Sequence, residues 1–266
     1  MLLAAGPGFQ EAHPVGTGSF VFKSFTDFTL FGVEFHITRI ITMLLFGVLL
    51  ISLFFVLAFR KPKLVPGKLQ FAGESVYDFV RNGIAREVIG PEDGIRFAPY
   101  LTTLFCFIFI MNLYEILPLA QVPVNSRIAF PAVLAVISLV LFNFIGIRKQ
   151  GLFRYLKEIA FPPGVPRWIY PLLTPIELVS TLIVRPFTLA VRLFANMFAG
   201  HLLLLVFIGG ALYMTGQGGF QIGFGAVAFI MSIVLTFFEL LVIALQAYVF
   251  VTLTAVYVSG ALAEEH

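Results

Sequence analysis

Charge is scarce in this chain. Asp, Glu, Lys and Arg make up 12% of its 266 residues, against 59% hydrophobic residues. A soluble domain carries roughly 25% charged residues, so the composition excludes one and leaves an integral membrane protein. Cysteine is rarer still. Cys106 is the only one and sits in an apolar run, which excludes an intrachain disulfide. No basic tract suited to nucleic acid occurs; the net charge of +3 is small, and the basic residues gather in two loops. Met1 to Gly18 lacks a basic start followed by an apolar core, so it does not read as a cleaved signal peptide.

Long apolar sequence is what the chain has in quantity. Ile40 to Phe59 is an uncharged run of 20 residues, enough to cross a hydrocarbon core of ~30 Å. Phe97 to Leu117 is a second span, polar only near its end at Asn112 and Glu115, and Ile128 to Ile147 is a third. Pro118 to Arg127 joins these two tightly, which predicts an antiparallel hairpin. Tyr170 to Met214 and Phe220 to Leu262 hold 45 and 43 residues, each about twice what one crossing needs. They must tilt, bend or lie partly along the membrane. Thr215-Gly216-Gln217-Gly218-Gly219 between them is a turn signal. Between the first two spans, Val76, Phe79, Val80, Ile84 and Val88 recur at helical spacing, which predicts an amphipathic helix, either lying on the membrane surface or as a soluble loop helix. The expected fold is thus an all-α polytopic membrane protein. It has five membrane segments, the last two forming a long tilted hairpin, plus a surface helix.

The loops fix an orientation. Arg60, Lys61, Lys63, Lys68, Arg81, Arg86 and Arg96 follow the first span, and Arg148, Lys149, Arg154, Lys157 and Arg167 follow the third. The opposite side carries only Lys23, Arg39 and Arg127. The positive-inside rule then puts the basic loops and the C-terminus in the cytoplasm and the N-terminus outside. The expected organisation is an outer segment 1–39, a first span 40–59, a basic loop 60–96, a hairpin 97–147, a second basic loop 148–169, the two long helices 170–262 and a cytoplasmic end 263–266.

Polar residues inside the last two segments are the candidates for function. An arginine at membrane depth costs at least ~3 kcal/mol and marks a functional site by default. Arg192 lies mid-segment, in Arg192-Leu193-Phe194-Ala195-Asn196-Met197-Phe198-Ala199-Gly200-His201. Glu177, Arg185, Thr188, Arg192 and Asn196 fall within about 100° on a helical wheel, with Ala195 and Ala199 on the same side, where a partner helix could approach closely. His201 falls on a different face. On the fifth segment Ser232, Glu239, Gln246 and Tyr257 share a narrow stripe. A fold-back at Gly218 and Gly219 predicts Arg192 level with Gln246, and His201 level with Glu239 about nine residues, or ~13 Å, nearer the outside. A His–Glu pair in a polar pocket is suited to relaying protons. A guanidinium is not, but it can hold a fixed positive charge that attracts a carboxylate and repels a cation. Glu115, at a span end beside Pro118, is placed at the interface or in an entrance, and Asn112 is read as a helix-contact residue.

The run Arg192 to His201, together with Leu245-Gln246-Ala247-Tyr248-Val249-Phe250, the preceding Glu239 and the end Glu264-Glu265-His266, resembles subunit a of the F-type ATP synthases. The resemblance covers most of the chain from the first span onward. It implies a bacterial cytoplasmic-membrane protein beside a ring of c subunits, bound by the b stalk and the rest of the synthase. It also implies that Arg192 is the stator charge facing the c-ring carboxylate, and that Asn196, His201, Glu239 and Gln246 lie on the proton path. Glu177, Glu115 and Arg185 are further candidates. No catalytic ATP site is expected, since no G-x-x-x-x-G-K-[ST] motif occurs; no cofactor and no bound metal are expected either. H⁺ is favoured over Na⁺ because no added cluster of oxygen ligands is visible. Two departures stand out. The histidine is on the fourth segment and the acid on the fifth, an exchange seen within the family that keeps the pair. Glu177 stands eight residues before Arg185, one more than in several relatives.

Three other functions fit less well. A secondary transporter usually shows two similar halves, and no internal repeat is visible. An intramembrane enzyme would need an activated nucleophile, and Ser232 has no G-x-S-x-G setting. A passive scaffold would not need Arg192 and its polar stripe.

Overall fold

The computed structural model describes residues 24–30, 33–117, 124–161 and 169–262. Met1 to Gly18, most of the Pro118–Arg127 connection, Arg167 and the end Glu264-Glu265-His266 lie outside the described residues, except for 124–127. The membrane part is all α. Its helices are α1 (Arg39–Phe59), α2 (Lys68–Val80), α3 (Asp93–Ile116), α4 (Ala129–Gln150), α5 (Leu152–Ala160), α6 (Tyr170–Gln217) and α7 (Gln221–Leu262). Five of these, α1, α3, α4, α6 and α7, are long and apolar enough to cross a membrane. Ahead of them an antiparallel ribbon pairs β1 (Ser24–Leu30) with β2 (Val33–Thr38), Phe28 opposite Phe35. The alternation Val33-Glu34-Phe35-His36-Ile37 is the strand signal behind it.

Helix ends follow local chemistry. Pro131 lies in the first turn of α4, where a missing N–H costs nothing. Pro171 opens α6 in the same way. Helix α6 runs into the turn signal as far as Gln217, and the chain reverses at the signal's last two residues, Gly218 and Gly219. Their φ values of 76° and 60° lie in the left-handed region that glycine enters without steric penalty.

At 48 residues α6 is ~72 Å long, and at 42 residues α7 is ~63 Å, so neither fits one perpendicular crossing. Helix α6 is also irregular. Ser180–Val184 is a π-turn in which the Arg185 N–H reaches back to the Ser180 carbonyl. Pro186 follows directly, with no N–H to give and a ring that would strike a regular upstream turn. The wide turn takes up one residue. The eight residues from Glu177 to Arg185 therefore turn through about the angle of seven, which brings the two side chains close to one face.

Helix α7 is the spine. It packs along α6, α3 and α4 and against the π-turn Arg81–Ala85 that follows α2. The main core joins Val80, Ile84 and Ala85 with Leu101 and Ile108 of α3, Leu189 and Leu193 of α6, and Phe250, Val251 and Ala255 of α7. Lipid is as apolar as these side chains, so close packing rather than exclusion from water holds the helices together. Small residues permit it. A methyl group on Gly94 would overlap the Ala85 backbone, and one on Gly225 would crowd Thr215 and Ala211. The amphipathic helix is thus seated on the bundle: Val80, Ile84 and Ala85 are fully buried, and Phe79 packs against Phe105 and Tyr248. Helix α1 is peripheral and touches chiefly α2 and α3, with Leu45, Leu49, Leu53 and Val56 all exposed.

Candidate functional site

Two polar regions lie along the α6–α7 hairpin. The first gathers where the C-terminal end of α3 meets the middle of both long helices. Glu115 is buried, and its side chain is 0% exposed. Its Oε1 stands 3.6 Å from His201 Nδ1, within ion-pair range and beyond a good hydrogen bond. Glu239 is buried on α7 opposite Gly200, so closely that a methyl group at Gly200 would overlap its carboxylate. Glu115 and Glu239 are near enough to interact electrostatically. One step along, Asn196 Nδ2 donates to Gln246 Oε1 at 2.7 Å. A narrow space between these groups is lined by Asn112, Asn196, Glu239 and Gln246 and closed by Leu193, Met197, Val242 and Ile243. Asn112 is fixed from behind by Asn125, whose Nδ2 donates to its Oδ1 at 2.6 Å. Both oxygens of Glu115, Oε1 of Glu239 and Nε2 of Gln246 are buried without a hydrogen-bond partner among the described residues.

The second region is a cavity of about 320 Å³ near the C-terminal end of α7, lined by Glu177, Thr181 and Arg185 of α6, Tyr257 of α7, Gln150 and Tyr155. The Arg185 guanidinium sits over the Tyr257 ring, 5.3 Å from its centre, within the range of a cation–π contact. Tyr155 donates to Asn143 Oδ1 at 3.0 Å. It packs so tightly on Gly146 that a methyl group there would strike its ring.

Arg192 stands between the two regions, ~10 Å of helix rise from Arg185 and one turn from Asn196. It is exposed, as are Thr188, Ala195, Asn196 and Ala199 on the same helix face, while Leu189, Leu193 and Met197 on the other face are buried against the bundle. Arg192 forms no ion pair among the described residues.

Fold-back geometry is close to the sequence expectation, with two changes. Gln246 bonds to Asn196, one turn beyond Arg192, because Arg192 turns outward from the hairpin. The carboxylate in ion-pair range of His201 is Glu115; Glu239 meets the neighbouring Gly200. Glu115, placed from sequence at the interface or in an entrance, is buried where α3 ends against α6 and α7. Asn125 carries no periodic signal and was not singled out. Tyr155 sits on the short amphipathic helix α5, whose own periodicity does not tell which distant cavity it reaches.

Residues 40–259 match the ATP synthase A chain family. The chain belongs to this family. It is 48% identical over 98% of its length to the ATP synthase subunit a of Parafrankia sp., covering 87% of that protein. It is 48% identical over 87% of its length to the subunit a of Rhodococcus erythropolis, covering 85% of it. The subunit a of a Nocardioides species is 42% identical, with 99% of this chain and 96% of that protein covered. Membership in this family, with five apolar membrane helices, makes the chain a multi-pass bacterial membrane protein.

Proposed function

We propose that this chain carries protons through two offset half-channels against a ring of c subunits, and so couples proton flow to rotation and ATP synthesis in a catalytic head it does not contain. The observation that carries the reading is Arg192, a cation at membrane depth on an exposed helix face, with no carboxylate paired to it among the described residues. A charge at membrane depth needs a partner, and a membrane carboxylate on each c subunit supplies one. The small residues Ala195 and Ala199 beside it suit close approach by the ring.

The route runs as follows. A proton enters from outside along Glu115, His201 and Glu239, where an imidazole and two carboxyls can hand it on. Asn196 and Gln246 orient the last step onto the c-subunit carboxylate, which becomes neutral and turns into lipid. After nearly a full turn the carboxylate meets the second cavity and releases its proton past Glu177, Arg185 and Tyr257 to the cytoplasm. Arg192 favours the ionised carboxylate and keeps the two half-channels from joining. The ion is H⁺. The b stalk and the other synthase subunits hold this chain still in the cell membrane, N-terminus outside and C-terminus in the cytoplasm. This chain is an essential non-catalytic subunit.

Arg192→Ala in inverted membrane vesicles tests the reading. ATP-driven acidification falls to background with the complex assembled, and passive proton leak rises. Retained coupled pumping would overturn the stator-charge role. Co-purification with a ring of small two-helix subunits separates this function from a transporter or a scaffold.

A further inference from the structure

Apart from both polar regions, a cavity of about 430 Å³ opens between the start of α3 and the end of α4. Arg96, Arg148 and Lys149 line it, with Asp93 the one acid among the lining residues. Its other wall is apolar: Phe97 on α3, and Leu141, Phe144 and Ile145 on α4. Leu141, Ile145 and Arg148 recur at helical spacing, so a basic tip continues directly into an apolar stripe on one face of α4. Arg96, Arg148 and Lys149 are exposed, and Phe144 is 57% exposed, facing out of the bundle. Lys149 Nζ donates to the Leu262 carbonyl at 2.9 Å, which ties the end of α7 to the rim.

We propose that this cavity binds an anionic phospholipid. Arg96 and Arg148 hold the phosphate through their guanidinium forks, which match phosphate oxygens in pairs. Lys149 adds charge at the rim, and one acyl chain lies along Phe97, Leu141, Phe144 and Ile145. Charge complementarity selects the headgroup, because the lining carries three basic side chains against one acid. The adjoining apolar wall selects a lipid over a free phosphate. The ligand bridges α3 and α4 at the place where α7 ends.

The test uses the assembled complex in nanodiscs of phosphatidylcholine doped with photoreactive phosphatidylglycerol. Label is expected on peptides from the start of α3 and the end of α4. Each basic residue near a membrane surface contributes about fivefold to anionic-lipid affinity, so Arg96→Gln/Arg148→Gln should lower labelling there on the order of 25-fold. Arg60→Gln/Lys61→Gln, which removes the same charge at the start of the first basic loop from residues that do not line the cavity, should leave it unchanged. Millimolar inorganic phosphate should not compete. Label that maps elsewhere, or equal loss in both double variants, overturns the proposal. Full competition by phosphate converts it to a free-anion site and overturns the lipid assignment. If the double variant does not assemble, Phe144→Gln gives the second reading: it spares the charges and should still weaken labelling several-fold, and unchanged labelling there refutes the acyl-chain wall.

Discussion

Gly200→Ala is the sharpest probe of the α6–α7 crossing. A Cβ at Gly200 would overlap all three carboxyl atoms of Glu239, which is itself only 6% exposed. The overlapped atoms are the end of a flexible side chain, so the carboxyl rotates away and the helices keep their spacing. The stability cost then stays near the low end of the overpacking range, ~1 kcal/mol. The functional cost is larger, because displacing a reacting group by ~1 Å can slow a step by about 100-fold. ATP-driven acidification by inverted vesicles, normalised to assembled complex, should fall between about tenfold and 100-fold. Gly200→Ala/Glu239→Asp draws the carboxyl back by one methylene and should recover part of the loss. Contacting residues commonly couple by 0.5–3 kcal/mol in a double-mutant cycle, and this cycle should fall in that range. Gly209→Ala on the same helix, with no neighbouring atom within 4 Å, should pump normally. Wild-type pumping by Gly200→Ala would refute the placement of Glu239, and an additive cycle would refute the steric reasoning.

Two further outcomes follow from the same hairpin. Asn196→Ala and Gln246→Ala each remove the 2.7 Å bond between α6 and α7; interhelical hydrogen bonds in membranes average ~0.6 and reach ~1.7 kcal/mol. The coupling energy from thermal unfolding of the single and double variants should lie in that range, and zero coupling would remove the bond. Gly218→Val places a branched side chain at φ 76° and ψ −175°, a region that only glycine enters readily, at a cost of roughly 1–3 kcal/mol. It should lower the melting temperature of the complex by several degrees, whereas Gly216→Val, inside the last turn of α6, should lower it less. Equal shifts would show that the turn does not depend on left-handed glycine.

The five spans, the two overlong helices and the polar stripe were legible in sequence because membrane insertion imposes length and composition on each segment separately. Arg192 was legible for the same reason: a charge within an apolar run is visible without knowing its neighbours. The fold-back register was legible to within a turn, since Gly218 and Gly219 fix where two regular helices reverse. The ribbon at Ser24–Leu30 and Val33–Thr38 is short, and its alternation carries a weak signal beside long helical runs.

What only the tertiary structure decided is which groups meet. Glu115 and His201 are 86 residues apart, and no local pattern brings them to 3.6 Å; the meeting of α3 with α6 does. Asn125 reaches Asn112 because the turn Val124–Ser126 packs against α3 and α6. The extra residue between Glu177 and Arg185 read as a departure in sequence, and the π-turn absorbs it so that both line one cavity. Sequence determined which residues are too polar for lipid, because that cost belongs to each residue alone. Contacts between distant helices depend on how whole surfaces pack, so their partners were decided only when the helices came together.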